Sequence, residues 1–149
     1  MKSRFSLYVL LGLLLIALGG IWFYFSVETQ TPLQVFPAVV NRDCAPWDGS
    51  AFTVSIPLRD GSSLAISIYK SPKIKFPVSF SFPDELMKNG NAMLRSPIGS
   101  LEQLTGKVWF QRVEQGIPVE GRFQFQSEAG MQFEGRFIAE WENELIYCG

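Results

Sequence analysis

From residue 52 onward, apolar and polar positions alternate with a period of two, the spacing of strands that bury one face and solvate the other. Phe52, Val54, Ile56 and Leu58 are interleaved with Thr53, Ser55 and Pro57. Leu64, Ile66 and Ile68 follow, and then Ile74, Phe76, Val78, Phe80 and Phe82 alternate with Lys75, Pro77, Ser79 and Ser81. Pro57 and Pro77 fall on the polar faces and predict edge positions or interruptions. Nearer the C-terminus, Val119, Phe123 and Phe125 oppose Glu120, Arg122, Gln124 and Gln126; Met131, Phe133, Phe137, Ala139 and Trp141 oppose Gln132, Glu134, Arg136 and Glu140. Further strands are expected at 34–40, 107–114 and 145–148. Asp60-Gly61, Ser71-Pro72, Gln115-Gly116 and Glu128-Ala129-Gly130 supply the turns between runs.

The alternation also predicts registers. A two-residue loop at Asp60-Gly61 would pair Leu58 with Ser63 and turn Ile66 and Ile68 outward. A loop one residue longer pairs Leu58 with Leu64, Ile56 with Ile66 and Val54 with Ile68. In the C-terminal hairpin, pairing Phe123 with Phe133 sets Gly121 beside Gly135, Arg122 against Glu134 and Glu120 against Arg136. Sliding by two residues would face Arg122 with Arg136, which like-charge repulsion disfavours. Within 107–114, Val108 and Phe110 share one face, and Trp109 and Val113 the other. A two-residue turn at Gln115-Gly116 makes Arg122 the cross-strand neighbour of Trp109, within reach of a cation–π contact. Only 84–106 breaks the alternation: Ser100-Leu101-Glu102-Gln103 resembles a capping box and Gly106 a helix C-cap, predicting one short helical turn. The sum is an all-β domain of about eight strands joined as a meander, an antiparallel β-sandwich or a small β-barrel.

The N-terminus has a different pattern. Residues 5–25 carry no charge and, as a helix, reach roughly 31 Å, enough to cross a hydrocarbon core. Lys2 and Arg4 precede the run, and no Lys or Arg follows before Arg42. The positive-inside rule then leaves the N-terminus in the cytoplasm and exports the rest. Tyr8 near the inner end, and Trp22 and Tyr24 at the outer one, suit the membrane interfaces. The alternatives are a signal peptide cleaved after Ala17-Leu18-Gly19, giving a secreted protein, and a buried core helix. Cleavage there would leave the greasy end Gly20-Ile21-Trp22-Phe23 in water. The expected organisation is an anchor at 1–25, a tether at 26–33 and an extracytoplasmic β-domain at 34–149.

Composition narrows the chemistry. The chain is 47% hydrophobic, and the anchor run accounts for the excess over an ordinary soluble domain. A net charge of −1 without a basic cluster argues against nucleic acid as a partner. The chain contains no histidine, which excludes Ser-His-Asp and Cys-His triads and histidine-ligated metals. Cys44 and Cys148 bracket the exported domain and predict one disulfide in an oxidising compartment, against the alternative of two unrelated buried thiols. Carboxylates remain as catalytic candidates, with Glu134, Glu140, Glu142 and Glu144 near the C-terminus and Asp43 and Asp48 around Cys44. Glu134 is expected opposite an arginine, and the others read as surface and turn residues. Asp43, Asp48 and Asp60 are too scattered for a calcium loop, and no glycine-rich cofactor motif occurs, so no cofactor or metal is expected. Most aromatics fall on apolar faces. Trp47 and Trp109 do not, and exposed tryptophan on a β-module suits contact with a protein or a sugar. The expectation is a non-catalytic binding or assembly module for an envelope protein or polymer. A β-barrel carrier of an apolar ligand such as a lipid is the alternative, and a two-carboxylate hydrolase comes third.

Overall fold

The described residues form nine strands, seven on the alternating pattern and two, β5 and β6, within 84–106, where no strand was expected: β1 (Val35–Cys44), β2 (Ser50–Pro57), β3 (Ser63–Ile68), β4 (Val78–Phe82), β5 (Gly90–Arg95), β6 (Leu101–Gln103), β7 (Thr105–Glu114), β8 (Ile117–Gln126) and β9 (Gln132–Trp141). The computed structural model describes residues 33–46, 49–70, 76–84 and 88–142. All belong to the unit Leu33–Gly149, which is separate from Met1–Pro32. The anchor with Tyr8, Trp22 and Tyr24, most of the tether, Trp47, Asp48, Glu144, Cys148 and the strand expected at 145–148 lie outside the described residues.

The all-β expectation holds, and its architecture is a single curled sheet, a half-barrel with strand order β4-β7-β8-β9-β1-β2-β3-β5-β6. The connection is not a plain meander. β1 lies between β2 and β9 and runs parallel to β9, so the domain's first and last described strands meet in mid-sheet. The curl has a covalent cause. β6, at one edge, is separated from β7, next to the other edge, by Leu104 alone. Leu104 is fully buried and donates its N–H to the Ala92 carbonyl, so one bent stretch of chain draws both edges together. The helical turn expected at 100–103 is therefore corrected to strand β6, and Gly106 lies inside β7 rather than capping a helix. β1 also extends beyond the expected 34–40, ending at Cys44. Pro57 ends β2, and Pro77 immediately precedes the edge strand β4, as their polar-face positions predicted.

Two registers differ from the sequence expectation, for one shared reason. Loops 58–62, 96–100 and 127–131 are built alike, with a glycine as the third of three loop residues. Gly61, Gly99 and Gly130 have φ of 82°, 87° and 85°, the left-handed conformation that glycine adopts without strain. In 58–62 the N–H of Leu58 bonds the Ser62 carbonyl and that of Gly61 bonds the Leu58 carbonyl. The expected loop length is right, but the glycine's place in it starts the loop one residue earlier. The pairs become Ile56 with Leu64, Val54 with Ile66 and Phe52 with Ile68. Asp60 reinforces this loop by accepting bonds from the Ser62 hydroxyl and N–H, which hold its carboxyl below the usual range.

Loop 127–131 imposes the same geometry on the C-terminal hairpin, pairing Phe125 with Phe133, Phe123 with Gly135 and Gly121 with Phe137. Arg122 thus faces Arg136, the arrangement that charge alone disfavours. Two effects outweigh the repulsion. Each glycine makes room for an aromatic ring on the core face, and Glu120 and Glu134 occupy the diagonal positions beside the arginines. Arg122 also turns aside over Trp109, 4.5 Å from the ring centroid, as the Gln115-Gly116 turn predicted. Exposed charges are worth tenths of a kcal/mol, whereas a buried phenylalanine is worth about 1.5–3 kcal/mol. Packing decides the register.

The inner face of the curl is a continuous cluster of phenylalanine and aliphatic side chains. Phe110 is its hub, with ring centroids 5.5 Å from Phe52 of β2, 6.1 Å from Phe80 of β4 and 5.8 Å from Phe137 of β9. Val113 joins this face, contrary to the expectation that it shares a face with Trp109, because a bulge between Phe110 and Glu114 shifts the alternation. Trp141 is half-buried, and its indole N–H reaches the carbonyls of Glu114 and Ile117, clamping the β7–β8 turn.

Candidate functional site

Two polar surfaces face outward from the sheet, and their hydrogen bonding separates them. On β1, β2, β3 and β5 the residues Asn41, Thr53, Ser67 and Asn91 align in one row. Thr53 donates its hydroxyl proton to Asp43, so Ser67 donates to Thr53, and Asn91 donates its amide to the Tyr69 hydroxyl. Burial, and then the charge of Asp43, push the Tyr69 phenol above its usual range. Thr53, Ser67 and Asn91 are thus engaged within the row, as in a structural polar ladder, while the Oδ1 atom of Asn41 at its β1 end is buried without a hydrogen bond among the described residues.

The outer face of β7, β8 and β9 is different. Its register lines up Thr105, Gln126 and Gln132, then Lys107, Gln124 and Glu134, then Trp109, Arg122 and Arg136. A trough of about 460 Å³ runs across the first two rows, with Trp109 at its side. The side chains of Thr105, Lys107, Gln124, Gln126, Gln132 and Glu134 make no hydrogen bond or ion pair among the described residues. Trp109 is half-buried, held in the sheet by its neighbours and covered on one face by Arg122. Aromatic surface, amides, a hydroxyl and one charge of each sign are therefore brought together, unengaged by the chain itself. The trough can take up a ligand with apolar ring faces and many hydroxyl or amide groups.

The other sequence candidates are dispersed. Cys44 is the half-buried last residue of β1, opposite Ser50, while its expected partner Cys148 lies outside the described residues. The disulfide stays a proposal, with a direct check. Thiol labelling of the denatured, unreduced chain is expected to leave both cysteines unmodified, and reduction is expected to expose both. Full labelling without reductant would dismiss the bridge.

Asp43 serves Thr53, and Asp60 serves its own loop. A second recess of about 500 Å³, along β4, Pro83, Asp84 and Asn89, has Asp84 as its acidic residue among the described ones, as the trough has Glu134. Among the described residues neither recess brings two carboxylates together, and Asp84 accepts bonds from Asn89. Among the described residues no cluster of three potential metal ligands occurs.

Sequence reasoning singled out Trp109 and, as a carboxylate, Glu134, but did not assemble the trough, because an incorrect register set Glu134 against Arg122 instead of Gln124. The signal was present in Gly130, whose place at the end of a three-residue loop fixes the observed pairing. No family model matches the chain, and neither a curated protein nor a solved structure matches it.

Proposed function

We propose that this chain is a single-pass, membrane-anchored extracytoplasmic β-module that binds an envelope polymer on the outer face of β7, β8 and β9. Residues 5–25, preceded by Lys2 and Arg4, support the anchor and its orientation. The single observation carrying the binding reading is the trough beside Trp109, where four side-chain amides and hydroxyls (Thr105, Gln124, Gln126 and Gln132) have no partner among the described residues. That chemistry complements a polysaccharide better than an apolar ligand. The alternative, a β-barrel carrier of an apolar ligand such as a lipid in a phenylalanine-lined interior, has less support: the inner face of the curl is filled by interlocking rings.

Capture from the native envelope by the immobilised full chain tests the reading. Trp109→Ala is expected to reduce capture by about tenfold or more, the usual scale for an aromatic anchor. Trp47→Ala, at the second tryptophan singled out in the sequence, asks whether the contact extends beyond the trough. Periodate treatment of the extract is expected to abolish capture, and protease treatment to leave it intact. The reverse pattern identifies a protein partner, and unchanged capture by Trp109→Ala rejects the trough.

A further inference from the structure

Loops 58–62, 96–100 and 127–131 share more than a backbone design. They gather on one rim of the half-barrel. A Cβ on Gly61 would lie 3.6 Å from the Pro97 side chain, so the first loop abuts the second. The N–H of Glu128 bonds the Glu102 carboxylate at 2.7 Å, so the third loop is tied to the strand leaving the second. Four of the five large apolar side chains that are exposed among the described residues lie here: Ile98 (92% exposed), Leu101 (58%), Val35 (52%) and Met131 (49%). Arg59 and Arg95 stand exposed beside them.

Ile98 sits in the middle of loop 96–100, uncovered by the described residues, between Ser96 and Ser100, which bond each other. Exposed apolar side chains gathered at one place, rather than scattered, mark a contact surface. The chain's own connectivity says which. β1 runs antiparallel to β2, and β2 ends at Pro57, where loop 58–62 begins, so β1 starts on this rim. The rim is thus the end of the domain at which the chain enters, at Leu33. Only residues 26–32 separate that point from the apolar run 5–25. Fully extended, they span roughly 25 Å. On the anchor reading, the rim with the exposed isoleucine and leucine is the end of the domain that this short tether joins to the membrane-spanning run.

We propose that this three-loop rim rests on the outer leaflet of the membrane in which the chain is anchored. Ile98, Leu101 and Met131 enter the headgroup region, and Arg59 and Arg95 meet lipid phosphates. The contact holds the domain upright, so that the trough beside Trp109, on the wall of the half-barrel, faces along the membrane rather than into it. This proposal rests on the anchor reading above and requires nothing of the polymer reading.

The test uses the full chain reconstituted in vesicles of phosphatidylethanolamine and phosphatidylglycerol. The photoreactive residue benzoylphenylalanine is placed at position 98 and, separately, at position 115 in the turn on the opposite rim. Both positions are exposed, so neither replacement disturbs the core. Irradiation followed by mass spectrometry is expected to find lipid adducts at position 98 in at least about fivefold excess over position 115, as insertion into the interface requires. Equal adduct formation at both positions, or adducts at 98 to protein alone, would overturn the proposal while retention of the chain after alkaline carbonate leaves the anchor intact. Release of the chain by carbonate would overturn the anchor reading, and the rim contact with it.

Discussion

Replacing Phe110 with alanine is expected to cost the domain about 3–5 kcal/mol, the range for truncating a fully buried aromatic ring. The site lies at the upper end of what a single truncation can do, because of where the ring sits. It touches Phe52, Phe80 and Phe137, which belong to three other strands spread around the curl. Its removal loses ring contacts on three sides at once, and close packing on both walls of the curl limits how far they can collapse into the space. Urea unfolding followed by tryptophan fluorescence checks this, with a lower midpoint and an unchanged slope expected. Phe110→Leu keeps most of the volume and is expected to lose less than about half as much. Equal losses for both substitutions would mean that edge-to-face geometry, not filled volume, holds the hub.

Gly121→Ala carries the second large effect and tests the hairpin register directly. A methyl group at position 121 would lie 2.4 Å from the Phe137 ring and 2.6 Å from the backbone carbonyl of Trp109. The ring can shift, but the carbonyl belongs to the neighbouring strand and cannot do so without opening the sheet. Overpacking of this kind costs about 1–3 kcal/mol, and more where backbone must move. Gly135→Ala meets the Phe36 ring at 2.5 Å and is expected to behave similarly. In the register suggested by charge pairing, Gly121 would face Gly135 rather than Phe137, so the Trp109 carbonyl would still crowd a methyl group there but shortening the side chain at 137 would give no relief. Partial recovery of Gly121→Ala by Phe137→Leu would confirm that ring and glycine share one space.

These two sites mark where the sequence was legible and where it was not. Period-two alternation locates seven of the nine strands, because burying one face of a sheet demands it; β5 and β6 fall within 84–106, where no strand was expected. The Arg122–Trp109 contact follows from the two-residue Gln115-Gly116 turn. Register was read less well. On the β8–β9 pair, opposite charges are easy to see in a sequence and contribute little on a solvated face, whereas the fit of a ring over a glycine is invisible in the sequence and contributes more. The left-handed glycine ending a three-residue loop was the better guide, at Gly61 and Gly130 alike. The short strand β6 could not be anticipated from local pattern: Ser100 to Gln103 can cap a helix in isolation, and only pairing with β5 and the buried Leu104 makes it a strand. For the candidate site, Trp109 was legible because it stands on a polar face. Its polar companions were not, since they come together only once the registers of β7, β8 and β9 are known.

Chemical-shift mapping tests the proposed binding face most directly. The envelope polysaccharide captured by the full chain is titrated back into isotope-labelled protein, and amide shifts are followed residue by residue. The expected result is a saturable set of shifts confined to the outer rows of β7, β8 and β9, at Thr105, Lys107 and Trp109, at Gln124 and Gln126, and at Gln132 and Glu134. Saturable shifts centred instead on the Asn41, Thr53, Ser67 and Asn91 row, or on the phenylalanine-lined inner face, would contradict it.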